Sequence, residues 1–381
     1  MIYLNNAATS FPKPPGVIDA INSHLHLPPL ESERGSSGKQ NDVLSVCRRN
    51  IAGLFNIEDD SRIILNSGST LSLNFAIQGM VSAKGQCHCL TSVQEHNSVL
   101  RPLNHLIAKH LLSVTYLPTE NIFDTHKFEA AIQPNTRFVI LSQISNVTGT
   151  ILPLPTIAEK CEKHNLPLII DASQSGGLIE IDVRKFPQNI ILIFAGHKGL
   201  LGPMGTGGFY IGEGIVPFEP LTQGGTGIRS DLLMQPNELP LLYESGTKNL
   251  PGLAGLAAGV QYVLNQGTAR ISAKNRMLLN ELKNILLTSP KIKIYEPVNG
   301  DCSAGILSFN IEGWSPADVG MVLFDSFDIY CRTGLHCAPM IHKEMGTWPN
   351  GTVRLSCSGF TTMDEITKAG EAILKIARAH Q

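Results

Sequence analysis

The run Ile190-Ile191-Leu192-Ile193-Phe194-Ala195-Gly196-His197-Lys198, followed by glycines at 199, 202, 205, 207 and 208, decides the reading of this chain. Five consecutive aliphatic or aromatic residues with no polar break predict a strand buried on both faces, as inside a parallel sheet. The run ends in a lysine and a glycine-rich segment. In open α/β sheets the carboxyl edge of the strands is the ligand crevice, and glycines there permit close backbone approach. A lysine at that edge suits a Schiff base with a cofactor aldehyde, whereas a lysine in an ordinary loop is simply solvated.

Upstream, the apolar run 166–170 ends in Asp171, with Ser173 and Gln174 behind it. A carboxylate at that edge can hold a pyridinium nitrogen protonated, and the ring then draws electrons from a carbanion. A strand-end cap is the competing explanation. Further runs at 62–65, 138–141 and 208–211 alternate with helix-like segments, which predicts an α/β fold with a mostly parallel sheet. From about Gly252 the texture changes. Helical stretches at 253–264 and 273–287 lead to short strands at 291–295 and 305–310, a helix near 316–324 and a last helix from Met363. The expectation is a large domain over 16–251 and a smaller α+β domain made of 1–15 and 252–381.

The chain of 381 residues is too long for one minimal core and fits this division. With 43% hydrophobic and 16% charged residues and a formal net charge of −2, it has the balance of an ordinary soluble enzyme, which points away from nucleic acid or another polyanion as partner. Eight cysteines are scattered without the spacing of a secreted disulfide framework, so free thiols in a reducing cytoplasm are expected. The first residues lack the basic and apolar regions of a signal peptide, and no apolar run reaches membrane-spanning length.

Other segments carry chemistry. Asn66-Ser67-Gly68-Ser69-Thr70 opens a predicted helix, where free N–H groups and the dipole favour an anion, or where the hydroxyls merely cap. Glu95-His96-Asn97-Ser98 follows a strand around 87–90 and starts another helix. An imidazole there could stack on a planar ring and shuttle protons, or serve as a cap. Cys87, His88 and Cys89 alternate faces on an extended strand, so no metal site is expected. In the segment Cys331-Arg332-Thr333-Gly334-Leu335-His336-Cys337-Ala338-Pro339, Cys337 has the electropositive loop that favours a reactive thiolate. Cys161, Cys302 and Cys357, with Cys331 beside them, read as small buried hydrophobes. Arg354, in an extended segment, offers a planar fork for a carboxylate, or forms a structural salt bridge.

Taken in order, these motifs resemble the class V aminotransferase family, in its cysteine desulfurase and selenocysteine lyase branch. The likeness runs from Tyr3-Leu4-Asn5-Asn6-Ala7-Ala8-Thr9 to Val353-Arg354-Leu355-Ser356. It implies an aspartate-aminotransferase-like fold of the PLP-dependent transferases (fold type I), a homodimer with shared active sites, and pyridoxal 5'-phosphate as cofactor. By this resemblance Lys198 would carry the cofactor, His197 would line its phosphate end, Asp171 would pair with the ring nitrogen and His96 would stack on the ring. Gln174 would bond the ring hydroxyl, with Asn146 beside it near the substrate carboxylate. Ser69 and Thr70 would bind phosphate, and Thr247 would reach the phosphate of the neighbouring subunit. Arg354, with Arg332, would bind the substrate carboxylate, and Cys337 would take sulfur as a persulfide. The implied substrate is cysteine or selenocysteine, with alanine as product and an acceptor protein for the sulfur. An aminotransferase or epimerase on the same scaffold, and a non-catalytic PLP-binding scaffold protein, are the rival readings. The chain departs from the family pattern at Asn5, Ala195, Lys248 and Leu335, and in the tail from Gly359 to Thr362.

Overall fold

Alternate residues of each central strand feed two separate apolar layers. Ile190, Leu192 and Phe194 join one core and Ile191 and Ile193 the other. The same division holds for Val139 and Leu141 against Phe138 and Ile140. The period of two places each side chain on one face or the other, and each fully buried aliphatic side chain contributes roughly 1.5–3 kcal/mol. The computed structural model describes residues 1–27, 42–81, 86–298, 300–301 and 304–379. Cys302 lies outside the described residues.

The central sheet has seven strands in the order Ile63–Asn66, Gly207–Ile211, Ile190–Ala195, Leu168–Asp171, Thr136–Ser142, Cys87–Ser92 and Leu112–Leu117. Helices Val43–Phe55, Leu154–Lys163 and Leu250–Gln266 cover one face, and Ser69–Met80 and Asn97–Ala108 the other. This is the fold expected from the sequence. Gly207–Ile211 runs antiparallel to both neighbours, because the connection between Ala195 and Gly207 is too short to hold a crossover helix. A side chain at Gly208 would meet the Ile64 carbonyl, so glycine there lets the reversed strand pack closely.

A second sheet, Arg332–Gly334, Thr352–Ser356, Ile306–Ile311 and Ile292–Tyr295, is antiparallel throughout. Helices Thr268–Leu286, Pro316–Phe327 and Met363–Arg378 enclose its core. The N-terminal strand Ile2–Tyr3 pairs in parallel with Ile329–Tyr330, and Asn5 bridges to Ser356. The following residues then cross to the lysine loop. The His197 carbonyl accepts from the Ser10 N–H at 3.0 Å, the Thr9 hydroxyl at 3.1 Å and Lys13 Nζ at 3.0 Å. Among the described residues no helix is long and apolar enough to cross a membrane.

Candidate active site

Strand ends from the large sheet and two arginines from the small one line a cavity of about 180 Å³. Asp171 ends its strand, and its Oδ1 accepts from the Ser173 N–H at 2.9 Å. Lys198 follows the neighbouring strand and also faces the cavity. Among the described residues its Nζ has no hydrogen-bond partner. Burial holds the amine down to about 8, aided by Arg354 and Arg332 and opposed by Asp171.

An amine must be neutral to attack an aldehyde, so the reactive fraction of Lys198 rises as pH climbs through about 8 rather than through the ordinary lysine value near ~10.4. In stopped-flow reconstitution with pyridoxal 5'-phosphate, the visible band should therefore grow at a rate that levels off about one unit above that pH. A rate still climbing about tenfold per unit near pH ~10 would contradict the depressed lysine.

Two helix N-termini meet at the same cavity. Ser69 and Thr70 open one helix, His96 and Ser98 stand at the start of the other, and Thr70 Oγ1 lies 2.8 Å from Ser98 Oγ. The helix that opens at Ser69 offers free N–H groups and the positive end of its dipole, which suits an anion, whereas on the second helix the Asn97, Ser98 and Val99 N–H groups are already engaged. His96 is the N-cap of its helix, its Nδ1 accepting the Ser98 N–H at 3.0 Å, and it also lines the cavity. Burial and the nearby Lys198 hold the ring well below the usual imidazole range, so it is neutral. His197 also lines the cavity, and its buried Nδ1 has no partner. Gln174 does so too, with its amide donating to the Ala7 carbonyl at 2.9 Å.

Arg332 and Arg354 are directly opposite each other on neighbouring antiparallel strands. Like charges in that register are destabilising unless an anion lies between them. Arg354 is fully buried. Its Nη1 donates to the Asn146 carbonyl at 2.8 Å and its Nη2 to Asn5 Oδ1 at 3.2 Å, while its Nε has no partner. Burial, then Arg332, pushes it down to about 9. Asn5 is neutral and leaves that charge uncompensated, which suits a site for a carboxylate.

Cys337 does not line the cavity but stands immediately behind Arg332, whose Nη2 donates to its Sγ at 3.3 Å. His336 and Cys337 both have left-handed backbones, with φ of 49° and 60°, a conformation that costs roughly 1–2 kcal/mol per non-glycine residue.

A protein-family model described as class-V aminotransferase matches residues 2–368. The chain belongs to the class V aminotransferase family. Members of that family work with pyridoxal 5'-phosphate, and the residues of this cavity fit the group: a lysine amine with no partner among the described residues, the Asp171 carboxylate, the flat His96 ring, and the open helix N-terminus at Ser69 and Thr70. A probable cysteine desulfurase of Pyrococcus abyssi is 32% identical over all of this class V chain and 96% of its own length. One from Methanothermobacter thermautotrophicus is 29% identical over 99% of this chain and 94% of its own. The apo structure of a cysteine desulfurase from Thermococcus onnurineus superposes with a TM-score of 0.89 at 28% identity, covering 99% of this chain and 95% of that one.

The site holds residues that the sequence reading passed over. Ser142 and Ser98 line the cavity, and Glu95 is buried beneath it, where it accepts from the Ser142 N–H and hydroxyl. Burial pushes Glu95 up to about 7. Ser142 ends a strand at the crevice edge, a position the strand-end rule marks. Thr247 is exposed and outside the cavity. Lys248 has its own structural task, since its Nζ lies 3.2 Å from the buried Glu244 carboxylate, which also accepts from Arg48. Cys161 and Cys357 are buried, and Cys331 is partly so. His88 is engaged by Thr136 and Thr115.

Proposed function

We propose that this class V enzyme is a pyridoxal 5'-phosphate-dependent cysteine desulfurase and selenocysteine lyase, releasing alanine and, from cysteine, leaving sulfur on Cys337 as a persulfide. The observation that carries the reading is Arg332, which lines the cavity opposite Arg354 and holds the Cys337 thiol at 3.3 Å. A nucleophilic sulfur thus stands next to the place where an amino-acid carboxylate would be fixed. The relatives named as cysteine desulfurases support it.

When bound, the cofactor supplies an electron sink for the substrate carbanion. Asp171 keeps the ring nitrogen protonated by placing an opposite charge beside it. Lys198 removes and returns the proton at Cα, with the neutral His96 able to accept one. Arg354 and Arg332 clamp the substrate carboxylate. The Cys337 thiolate attacks the substrate sulfur and forms an S–S bond. The carbon–sulfur bond breaks, its electron pair stays with carbon, and protonation there gives alanine. Selenium can leave at the zero oxidation level without the thiol, the carbon–selenium electron pair staying with carbon, which is then protonated to give alanine.

Product analysis with both substrates tests this. With an added dithiol as reductant, which frees sulfide from the persulfide and reduces released selenium, alanine and reduced chalcogen should appear in equal amounts. Formation of only 2-oxo acids would establish an aminotransferase, racemised substrate an epimerase, and a cofactor spectrum unchanged by any amino acid a non-catalytic PLP-binding scaffold.

The same proposal includes a cytoplasmic homodimer with shared sites and a sulfur-acceptor protein. Val216, Leu233 and Met234 are strongly exposed apolar residues in the segment leading to Thr247, and the Gly246 N–H donates to the Gly225 carbonyl within it. Such a surface is suited to a second copy, which would receive Thr247 at its phosphate site. Residues 16–251 would form the cofactor domain, and 1–15 with 252–381 the smaller one, connected through the helix Leu250–Gln266.

A further inference from the structure

We infer that His336 is a positioning residue that aims the Cys337 thiol, by pinning its loop to the strand Thr352–Ser356 that carries Arg354. The inference rests on the reading of Cys337 as sulfur acceptor. The loop after Gly334 turns through two consecutive left-handed residues, His336 and Cys337, neither of which is glycine. Non-glycine residues avoid that conformation, so surrounding contacts must hold it.

Both carbonyls of the pair are captured by residues next to the cofactor cavity. Asn146 Nδ2 donates to the His336 carbonyl at 2.7 Å, and Asn97, the residue after His96, donates its N–H to the Cys337 carbonyl at 2.6 Å. These bonds fix the backbone from one side. From the other side the His336 imidazole is the pin. Its Nε2 lies 3.0 Å from the hydroxyl of Thr352, two residues before Arg354 on the same strand. Both side chains are buried, and the ring packs against that of His342 at 5.7 Å between centroids. Burial, with Arg354 beside it, holds the imidazole down to about 2. The pin therefore stays neutral and adds no cation beside Arg332 and Arg354. The strand that positions the substrate carboxylate and the loop that positions the sulfur nucleophile are thereby locked to each other.

Three variants separate a side-chain pin from a mere backbone requirement. Glycine adopts the left-handed conformation without strain, so His336→Gly keeps the turn and removes the pin. His336→Gln keeps an amide that can reach the hydroxyl, and Thr352→Val removes the partner while keeping its shape. The measurements are single-turnover persulfide on Cys337 by mass spectrometry, the visible spectral response of the holoenzyme to cysteine, KM, and selenocysteine turnover.

His336→Gly and Thr352→Val should each slow persulfide formation and kcat for cysteine by about tenfold, the size of one lost buried hydrogen bond. KM, the spectral response and selenocysteine turnover should be unchanged, and His336→Gln should stay within about threefold of the parent. A parental persulfide rate in His336→Gly would overturn the proposal, because the ring would then serve only the backbone. Equal losses with selenocysteine would overturn it as well, since they would mark a general structural defect. Parental persulfide rates in these variants beside an inactive Cys337→Ala would remove the pin and leave the acceptor reading standing, whereas full cysteine turnover in Cys337→Ala would remove both.

Discussion

Replacing Lys198 by alanine is expected to abolish the visible absorption of the lysine-bound cofactor and to lower turnover at least about a thousandfold, since general-base catalysis alone is worth ~10²–10⁴. The amine is the one cavity nitrogen held down to about 8 without a hydrogen-bond partner among the described residues, so no neighbour can take over its attack on the aldehyde. Its proton transfer at Cα is lost in the same step. Cofactor should still bind noncovalently, because Ser69, Thr70 and Asp171 remain in the cavity wall. Absorption spectra and borohydride reduction followed by peptide mapping check the assignment. A borohydride-stable lysine adduct in the purified Lys198→Ala protein would show that another lysine carries the cofactor.

Cys337→Ala should separate the two chalcogens. A carbon–selenium bond releases its heavy atom more easily than a carbon–sulfur bond, so a nucleophile matters chiefly for cysteine. Alanine release from cysteine should fall at least about a hundredfold, while selenocysteine turnover stays within a few-fold and the cofactor spectrum is intact. The geometry supports this division. Arg332 bonds Cys337 Sγ and lines the cavity, whereas Cys337 itself does not line it, so its removal leaves the cofactor wall untouched. Undiminished cysteine turnover would end the persulfide mechanism and point to another cysteine or to direct elimination.

Six of the seven strands of the large sheet, and its chemical edge, are legible in local sequence, while Leu112–Leu117 is not, because this edge strand is half-exposed and carries no continuous apolar run. Apolar continuity over 190–194 and 166–170 is a local property and places Lys198 and Asp171 each at a strand end; that the two strands are neighbours is seen in the structure. The helix starts at Ser69 and after His96 were legible for the same reason, since both follow a strand and open a local apolar pattern; His96 caps its helix, whereas Gly68 starts the other without a side-chain cap. The reversed strand Gly207–Ile211 was seen as a strand while its direction was not, since direction depends on where the loop returns the chain.

The tertiary structure alone decided how the small domain meets this edge. Asn146 and His336 are 190 positions apart yet joined by a hydrogen bond, and Arg354 reaches back to Asn5 across nearly the whole chain. The opposition of Arg332 and Arg354 is a matter of strand register, and a slip of one residue would turn Arg332 to the other face of its sheet. Residue type and spacing carry no record of register between distant strands. It is set by which side chains must be buried once the two sheets pack, and that packing brings Arg332, Arg354 and Lys198 to one cavity with Cys337 behind Arg332.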